Sequence, residues 1–143
     1  MAATPFIEPR KNPNNEKFWD QLVDHCRKIG RNDIASGKRE RDYFRIEIGN
    51  PNYDIFFQIA NEEIRIGLGR IPKDYLDNIL TPKKSTITTK YGSGLAWDAG
   101  KKNSKTRRIQ DAIEAKDFNS NLASWRNHID WLIAQFDKLR RAV

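Results

Sequence analysis

The densest cluster of chemically useful side chains in this sequence is a run of basic residues: Lys101, Lys102, Lys105, Arg107 and Arg108. No acidic residue lies between Asp98 and Asp111, so the run is not neutralised locally. Clustered lysine and arginine side chains contact phosphate groups and position a nucleic acid without reading its sequence. Lysine and asparagine are also common in turns that serve only solubility. The run therefore indicates either an anion contact or a solvated hairpin turn, and Arg140 and Arg141 are further anion candidates.

The charge of the whole chain points in the same direction. The net charge is +7 and the isoelectric point is near 9.6. Residues 101–143 contain ten basic and five acidic side chains, so this last third carries most of the positive excess. Such an asymmetry favours an anionic partner, which could be DNA, RNA, a nucleotide or an acidic protein surface.

A second set of candidate binding residues falls on the predicted polar face of a β-sheet: Tyr43, Arg45, Phe56 and Arg65. Aromatic rings interleaved with arginine on an open sheet are suited to stacking nucleobases. Tyrosine and phenylalanine are also ordinary strand-forming residues. A structural role, half covered by the segment 71–91, is the alternative for these side chains.

Catalytic side chains do not form a convincing constellation. His25 and Cys26 are adjacent on a predicted helix, so they point to different faces and make a poor metal pair; His128 lies on another helix. A metal-dependent nuclease would need a Glu-x-Lys pattern, but Glu63 is followed at that spacing by Arg65, and a guanidinium group does not give up its proton at neutral pH. We predict no catalytic residue, no metal ion and no cofactor, and the sequence does not favour an enzyme.

Strands are predicted where apolar residues alternate with period 2. The segments YFRIEIG, NYDIFFQIA and EEIRIGLG each place their apolar side chains on one face. One buried and one polar face indicate an antiparallel meander. Two more strands are predicted in GSGLAWD and TRRIQDAIEA, so AGKKNSK becomes the loop between them. The glycines of GLGR predict a bulge or a close backbone approach.

Helical periodicity surrounds these strands. Apolar stripes predict one helix over about residues 15–29 and a long one over 121–141. Ile71-Pro72 opens a third helix, whereas the STITT segment before Tyr91 fits helix or strand equally well. The predicted order is α-βββ-α-ββ-α, an α+β fold with an antiparallel sheet of about five strands and helices packed on one face.

The domain organisation is simple. Residues 1–14 contain three prolines and predict an extended or disordered arm, and residues 15–143 predict a single α+β domain. The lone Cys26 has no partner for an internal disulfide, and the N-terminus lacks the apolar core of a signal peptide. No apolar run reaches the length of a membrane span. We expect a cytoplasmic protein without a membrane partner.

The order and spacing of several segments resemble a bacterial domain family of unknown function. The segments are KFWDQL, YFRIEIG, IANEEIRIGL, GLAWD, KTRRI and SWRNHIDWLIAQFDKLRRAV, and together they span about residues 16–141. That family is often found C-terminal to a restriction-endonuclease-like nuclease domain. Since this sequence has no such nuclease portion, the resemblance implies the accessory domain standing alone, in a restriction, defence, phage or plasmid setting.

These observations leave several functions open. The leading hypothesis is a non-catalytic basic module that contacts nucleic acid in a restriction or defence context, or in phage or plasmid counter-defence. Alternatives are a protein-interaction inhibitor of a host complex and a binder, or sponge, of an anionic nucleotide signal. A nuclease is the interpretation that the residues favour least.

Overall fold

All helices of the described residues pack on one face of a single antiparallel sheet. The computed structural model describes residues 13–92, 94–99 and 104–143. Within them, six strands form the sheet: β1 (Lys38–Glu40), β2 (Tyr43–Ile46), β3 (Asp54–Ala60), β4 (Glu63–Pro72), β5 (Ala96–Ala99) and β6 (Thr106–Glu114). Their order across the sheet is β1-β2-β3-β4-β6-β5. The predicted α+β class is confirmed, with six strands instead of about five.

The additional strand is β1, in a segment for which no strand was predicted. Its three residues are all exposed and all charged, so they carry no apolar alternation. The strand exists because its backbone pairs with β2, where Lys38 lies opposite Arg45 and Glu40 opposite Tyr43. Backbone pairing of this kind leaves no pattern in the local sequence. A short, charged edge strand also discourages pairing with other chains.

The alternation in the central strands divides the sheet into two faces. The face that we call the covered face carries apolar side chains that are almost fully buried: Phe44, Ile46, Ile55, Phe57, Ile64, Ile66 and Leu68. In the register of the sheet, Phe44 pairs with Phe57 and Phe57 pairs with Ile66, so these side chains form a continuous layer. The opposite side, on which no described helix packs, is called the open face.

Two long helices supply most of the second layer. They are α1 (Pro13–Lys28) and α5 (Trp125–Ala142), with a short α2 (Asn32–Ala35) following α1. The ring centroids of Trp19 and Phe44 lie 5.4 Å apart, and those of Phe136 and Phe57 lie 6.3 Å apart. Aromatic pairs of this kind contribute about 0.5–1.5 kcal/mol each beyond burial of area. They fix both helices on the covered face. Since α1 begins at Pro13, the last two residues of the predicted arm are helical, and residues 1–12 lie outside the described residues.

The connection from β4 to β5 is helical throughout its first part. It consists of α3 (Lys73–Tyr75), a π-helical turn (Leu76–Leu80), a 3-10 turn (Thr81–Lys83) and α4 (Lys84–Tyr91). Ile71 and Pro72 still belong to β4, so the helix starts later than predicted. The STITT segment, for which helix and strand were equally possible, is helical. Its inward residues Ile87 and Tyr91 are one turn apart and both buried.

A buried polar network ties this connection to the rest of the fold. The Tyr91 hydroxyl donates to Asp111 Oδ2 at 2.7 Å and accepts from Gln135 Nε2 at 2.8 Å. It therefore links α4, β6 and α5. Burial, followed by the hydrogen bond to Asp111, raises the pKa of Tyr91 well above its ordinary range, so the hydroxyl remains a donor.

Some positions of the predicted apolar stripes are exposed. Ile29 follows the end of α1, Ile79 lies in the π-helical turn, and Leu122 lies in the 3-10 turn Leu122–Ser124. Each is at least 42% exposed. The ideal 3.6-residue period fails at these three positions because the chain leaves α-helical geometry at or beside them.

Candidate functional site

The open face carries a cluster of arginine, aromatic and amide side chains, which we call the Arg108 cluster: Tyr43, Arg45, Phe56, Gln58, Arg65 and Arg108. They come from β2, β3, β4 and β6. In β2 and β3 the alternation that sends Phe44 and Phe57 into the core sends Tyr43 and Phe56 to the other side. The four sheet-face candidates of the sequence are thus neighbours, and one residue of the basic run joins them.

Arg108 is the centre of the cluster. Its Nη1 donates to Gln58 Oε1 at 3.3 Å, and its Nη2 donates to the Tyr43 hydroxyl at 3.1 Å. The guanidinium carbon lies 5.3 Å from the centroid of the Phe56 ring and 5.9 Å from that of Tyr43. Contacts at these distances are attractive cation–π interactions. They hold the guanidinium group in one place on the sheet.

Two glycines of β4 let Arg108 reach this position. β4 lies between β6, which carries Arg108, and β3, which carries Phe56. Gly67 and Gly69 have no side chains, so the arginine crosses β4 without obstruction. A Cβ atom at Gly69 would come within 2.8 Å of the Phe56 ring, and one at Gly67 would come within 2.2 Å of the Ile109 carbonyl oxygen. These are the close approaches that the glycines of GLGR predict.

The predicted bulge also lies here. The register between β4 and β6 shifts between Leu68 and Ile71. Within this stretch Arg70 has a φ of 58°, in the left-handed region that non-glycine residues rarely occupy. A bulge re-aims the side chains around it. Arg70 is consequently directed to Glu40 on β1, where its Nη2 donates at 3.0 Å.

One end of the cluster is neutralised by carboxylates. Arg45 Nε donates to Glu40 Oε2 at 3.0 Å, and Arg45 Nη1 donates to Asp54 Oδ1 at 3.4 Å. Partial burial raises the pKa of Glu40, but hydrogen bonds from Arg45 and Arg70 outweigh it and hold that pKa below its ordinary value. At Asp54 burial dominates and raises the pKa, although the two arginines oppose it.

Gln58 organises the other end. Its side-chain oxygen accepts from Arg108 and also from Arg65 Nη1, each at 3.3 Å, while its amide nitrogen donates to Asp42 Oδ2 at 3.1 Å. Arg65 has its own carboxylate, because its Nε donates to Glu63 Oε2 at 3.0 Å. Two guanidinium groups therefore converge on one neutral acceptor.

Arg108 differs from the other arginines of the cluster in its charge balance. Within residues 13–92, 94–99 and 104–143, no carboxylate lies within 4.0 Å of its guanidinium nitrogens. Its hydrogen-bond partners are a neutral amide and a neutral phenol. An unneutralised guanidinium group held over aromatic rings is well placed to receive an anion.

The remaining predicted anion contacts do not join this cluster. The Arg107 side chain is 9% exposed, and its Nε lies 2.9 Å from Asp98 Oδ1. Lys105 is exposed in the stretch before β6. Arg140 and Arg141 are exposed in the last turn of α5, in the helical layer behind the covered face. Lys101 and Lys102 lie outside the described residues.

Catalytic geometry is not evident in the described part of the chain. Burial raises the pKa of the Cys26 thiol to about 11, which makes it a poor nucleophile. Burial also lowers the pKa of His128. His25 lies on the surface of the helical layer, where its Nε2 is 3.8 Å from Asp130 Oδ1. Among the described residues, no three His, Cys, Asp or Glu side chains are grouped to hold a metal ion. No helix in this part of the chain is long and apolar enough to cross a membrane.

Comparison with known families shows to which family the chain belongs. Residues 15–143 match the family model described as Domain of unknown function (DUF4268), and the chain belongs to that family. The match covers almost the whole sequence. No curated protein and no solved structure is significantly similar to the chain. The family has no assigned function, so functional inference depends on the geometry of the Arg108 cluster.

Proposed function

We propose that this protein is a non-catalytic module that binds nucleic acid through the open face of its sheet. The observation that carries the proposal is Arg108, a guanidinium group without a carboxylate partner among the described residues, held against Tyr43 and Phe56 on a face that no described helix covers. Arginine and aromatic side chains on an open sheet are a recurrent surface for nucleotides.

The arrangement supports binding because it is organised in advance. Arg108 is fixed by two hydrogen bonds and two aromatic rings, so little side-chain entropy remains to be lost when an anion arrives. Lys105 is exposed on the approach to β6, and the sequence places Lys101 and Lys102 just before it. These lysines would add phosphate contacts that position the ligand.

A salt titration tests the proposal. We expect binding of oligonucleotides to weaken as salt rises, and Arg108→Gln to lower the slope of log K against log salt by about 0.7–0.9, the value of one phosphate contact. Arg140→Gln is the matched control, because Arg140 is exposed but lies in the helical layer. Circular dichroism and melting curves confirm that each variant is folded. Binding that ignores salt, or an Arg108→Gln variant that binds like the wild type, would overturn the proposal.

The biological setting is part of the proposal. The resemblance to accessory domains of nuclease-containing proteins supports a role in restriction or defence, or in phage or plasmid counter-defence. There the module would hold nucleic acid while another protein acts on it. A co-purification that yields a stable protein complex and no nucleic acid would instead favour the protein-interaction inhibitor.

A further inference from the structure

The charges of the open face limit the kind of nucleic acid that fits it. Among the described residues, four arginines of this face, Arg45, Arg65, Arg70 and Arg108, are accompanied by four carboxylates: Glu40, Asp42, Asp54 and Glu63. The face as a whole carries no large positive excess. Among the described residues of this cluster, Arg108 is the arginine without a carboxylate within 4.0 Å, so it is the place where the face can accept a phosphate group.

We infer that the Arg108 cluster binds an unpaired nucleobase together with its neighbouring phosphate, and therefore selects single strands or free nucleotides over duplexes. The inference rests on the proposed function and specifies its ligand. Three features of the cluster carry it: the stacking surface, the paired guanidinium groups and the acidic surroundings.

The stacking surface is the guanidinium group of Arg108 itself. Phe56 is only 1% exposed, so a base cannot reach its ring directly. Arg108 Cζ lies over that ring, 5.3 Å from its centroid, so the guanidinium group and not the ring is the part of this pair that a base can reach from the open face. Nucleobases stack on arginine planes as they do on aromatic rings. Such stacking requires a base face that is not already covered by the next base pair.

The phosphate position is defined by Arg65 and Arg108. Both donate an Nη1 hydrogen to the same Gln58 oxygen, at 3.3 Å each, so the two nitrogens are no farther apart than the sum of these distances. A phosphate oxygen is a stronger acceptor for guanidinium than a neutral amide. A phosphate could therefore replace Gln58 as the shared acceptor of the two arginines.

The acidic surroundings disfavour a second strand. Glu40 and Asp54 flank one end of the cluster, and Asp42 and Glu63 flank the other. A duplex presents two rows of phosphates across its grooves. A duplex docked with one row on Arg108 would bring other phosphates toward these carboxylates, whereas one strand can turn away. Like charges brought together in this way oppose binding.

Fluorescence anisotropy with the full chain and four ligands tests the inference. The ligands are a short labelled single strand, a duplex of the same sequence, an abasic strand with the same number of phosphates, and a nucleoside monophosphate as competitor. We expect the single strand to bind at least about fivefold more tightly than the abasic strand, the lower limit for stacking one base. We also expect the single strand to bind more tightly than the duplex, by at least about the same factor.

Substitutions at Arg108 separate stacking from charge. Arg108→Lys keeps the positive charge but lacks the planar group, so we expect it to bind the base-bearing and abasic strands with similar affinity while retaining its salt dependence. Arg108→Gln should lose both the preference for base-bearing strands and the salt dependence that the Arg108 charge contributes. Arg140→Gln should retain the full preference for bases.

The outcomes distinguish this inference from the proposed function. If the monophosphate competes at a concentration comparable to that of the single strand, the inference is supported and free nucleotides are a source of the ligand. If the monophosphate competes weakly, the inference is supported with a polynucleotide as the ligand. Equal binding of duplex and single strand, or of abasic and base-bearing strands, overturns the inference while the proposed function stands. The absence of binding to every ligand overturns both.

Discussion

The two faces of the sheet bury aromatic rings in different ways. On the covered face, Phe57 is 0% exposed and packs against Phe44 and Phe136, which are held by a strand and a helix. On the open face, Phe56 is 1% exposed, yet arginine and tyrosine side chains lie over it. Nearly equal burial thus has two origins. The covered face is closed by helices and strands, whereas the open face is closed by arginine and tyrosine side chains.

Matched truncations of the neighbouring phenylalanines test this contrast most strongly. We expect Phe57→Ala to lower the free energy of unfolding by about 3–5 kcal/mol, because the surrounding helices and strands cannot fill the cavity. Phe56→Ala should lower it by less than Phe57→Ala, since side chains and not helices lie over Phe56. Urea denaturation measures both. Equal losses would show that the two faces are equally rigid.

The two glycines of β4 sharpen the comparison between backbone and side-chain contacts. We expect Gly67→Ala to lower the free energy of unfolding by about 2–3 kcal/mol, because its Cβ would meet the backbone of β6. Gly69→Ala should have the smaller effect, since its Cβ would meet side-chain atoms of Phe56, Asp54 and Arg45. Thermal melts of both variants test the order. A larger loss at Gly69 would contradict the placement of the β4–β6 contact.

Two tyrosine hydroxyls provide a matched test of polar groups. Tyr91→Phe should lower the free energy of unfolding by about 1–2 kcal/mol, because the buried Gln135 amide loses its acceptor. Tyr43→Phe should lower it by less than about 0.5 kcal/mol, since the half-buried hydroxyl on the open face is more easily replaced by water. Denaturant titrations compare them. A larger effect at Tyr43 would mean that the open face is a major source of stability.

A small effect is also expected at Glu40, whose side chain is 46% exposed. Its pKa is lower in the folded protein than its ordinary value of 4.5, so its ion pairs stabilise the fold above that pH and are lost as the pH falls through the folded pKa. Solvent screening limits the contribution to below about 1 kcal/mol. We expect Glu40→Gln to be slightly less stable than the wild type at pH 7. The difference should disappear in strong acid, and a difference that grows as the pH falls would contradict this sign.

Much of the fold could be predicted from local patterns. The alternation in β2, β3 and β4 predicted both faces of the central sheet, and the apolar stripe predicted α5 closely. β1 was missed because three charged residues have no hydrophobic period. The STITT segment was ambiguous because β-branched residues favour strands, whereas the burial of Ile87 and Tyr91 against the rest of the protein stabilises a helix.

The candidate site was predicted in two separate pieces. Alternation placed Tyr43, Arg45, Phe56 and Arg65 on one face, but Arg108 was grouped with the lysines that precede it in the sequence. Its true neighbours come from β2 and β3, which are 50 or more residues away in the chain. Gly67 and Gly69 were the available signal, since missing side chains in the middle of a strand leave room for a neighbour to cross.

The amino-acid sequence by itself determined which residues face the core and which face away, because the period of side chains along a strand is a local property. It also determined the excess of positive charge in the last third of the chain. Only the tertiary structure decided that β6 pairs with β4 and not with another strand, because backbone hydrogen bonds are nearly the same for any side chain. That pairing, with its bulge after Leu68, brings Arg108 across β4 onto Phe56 and assembles the cluster.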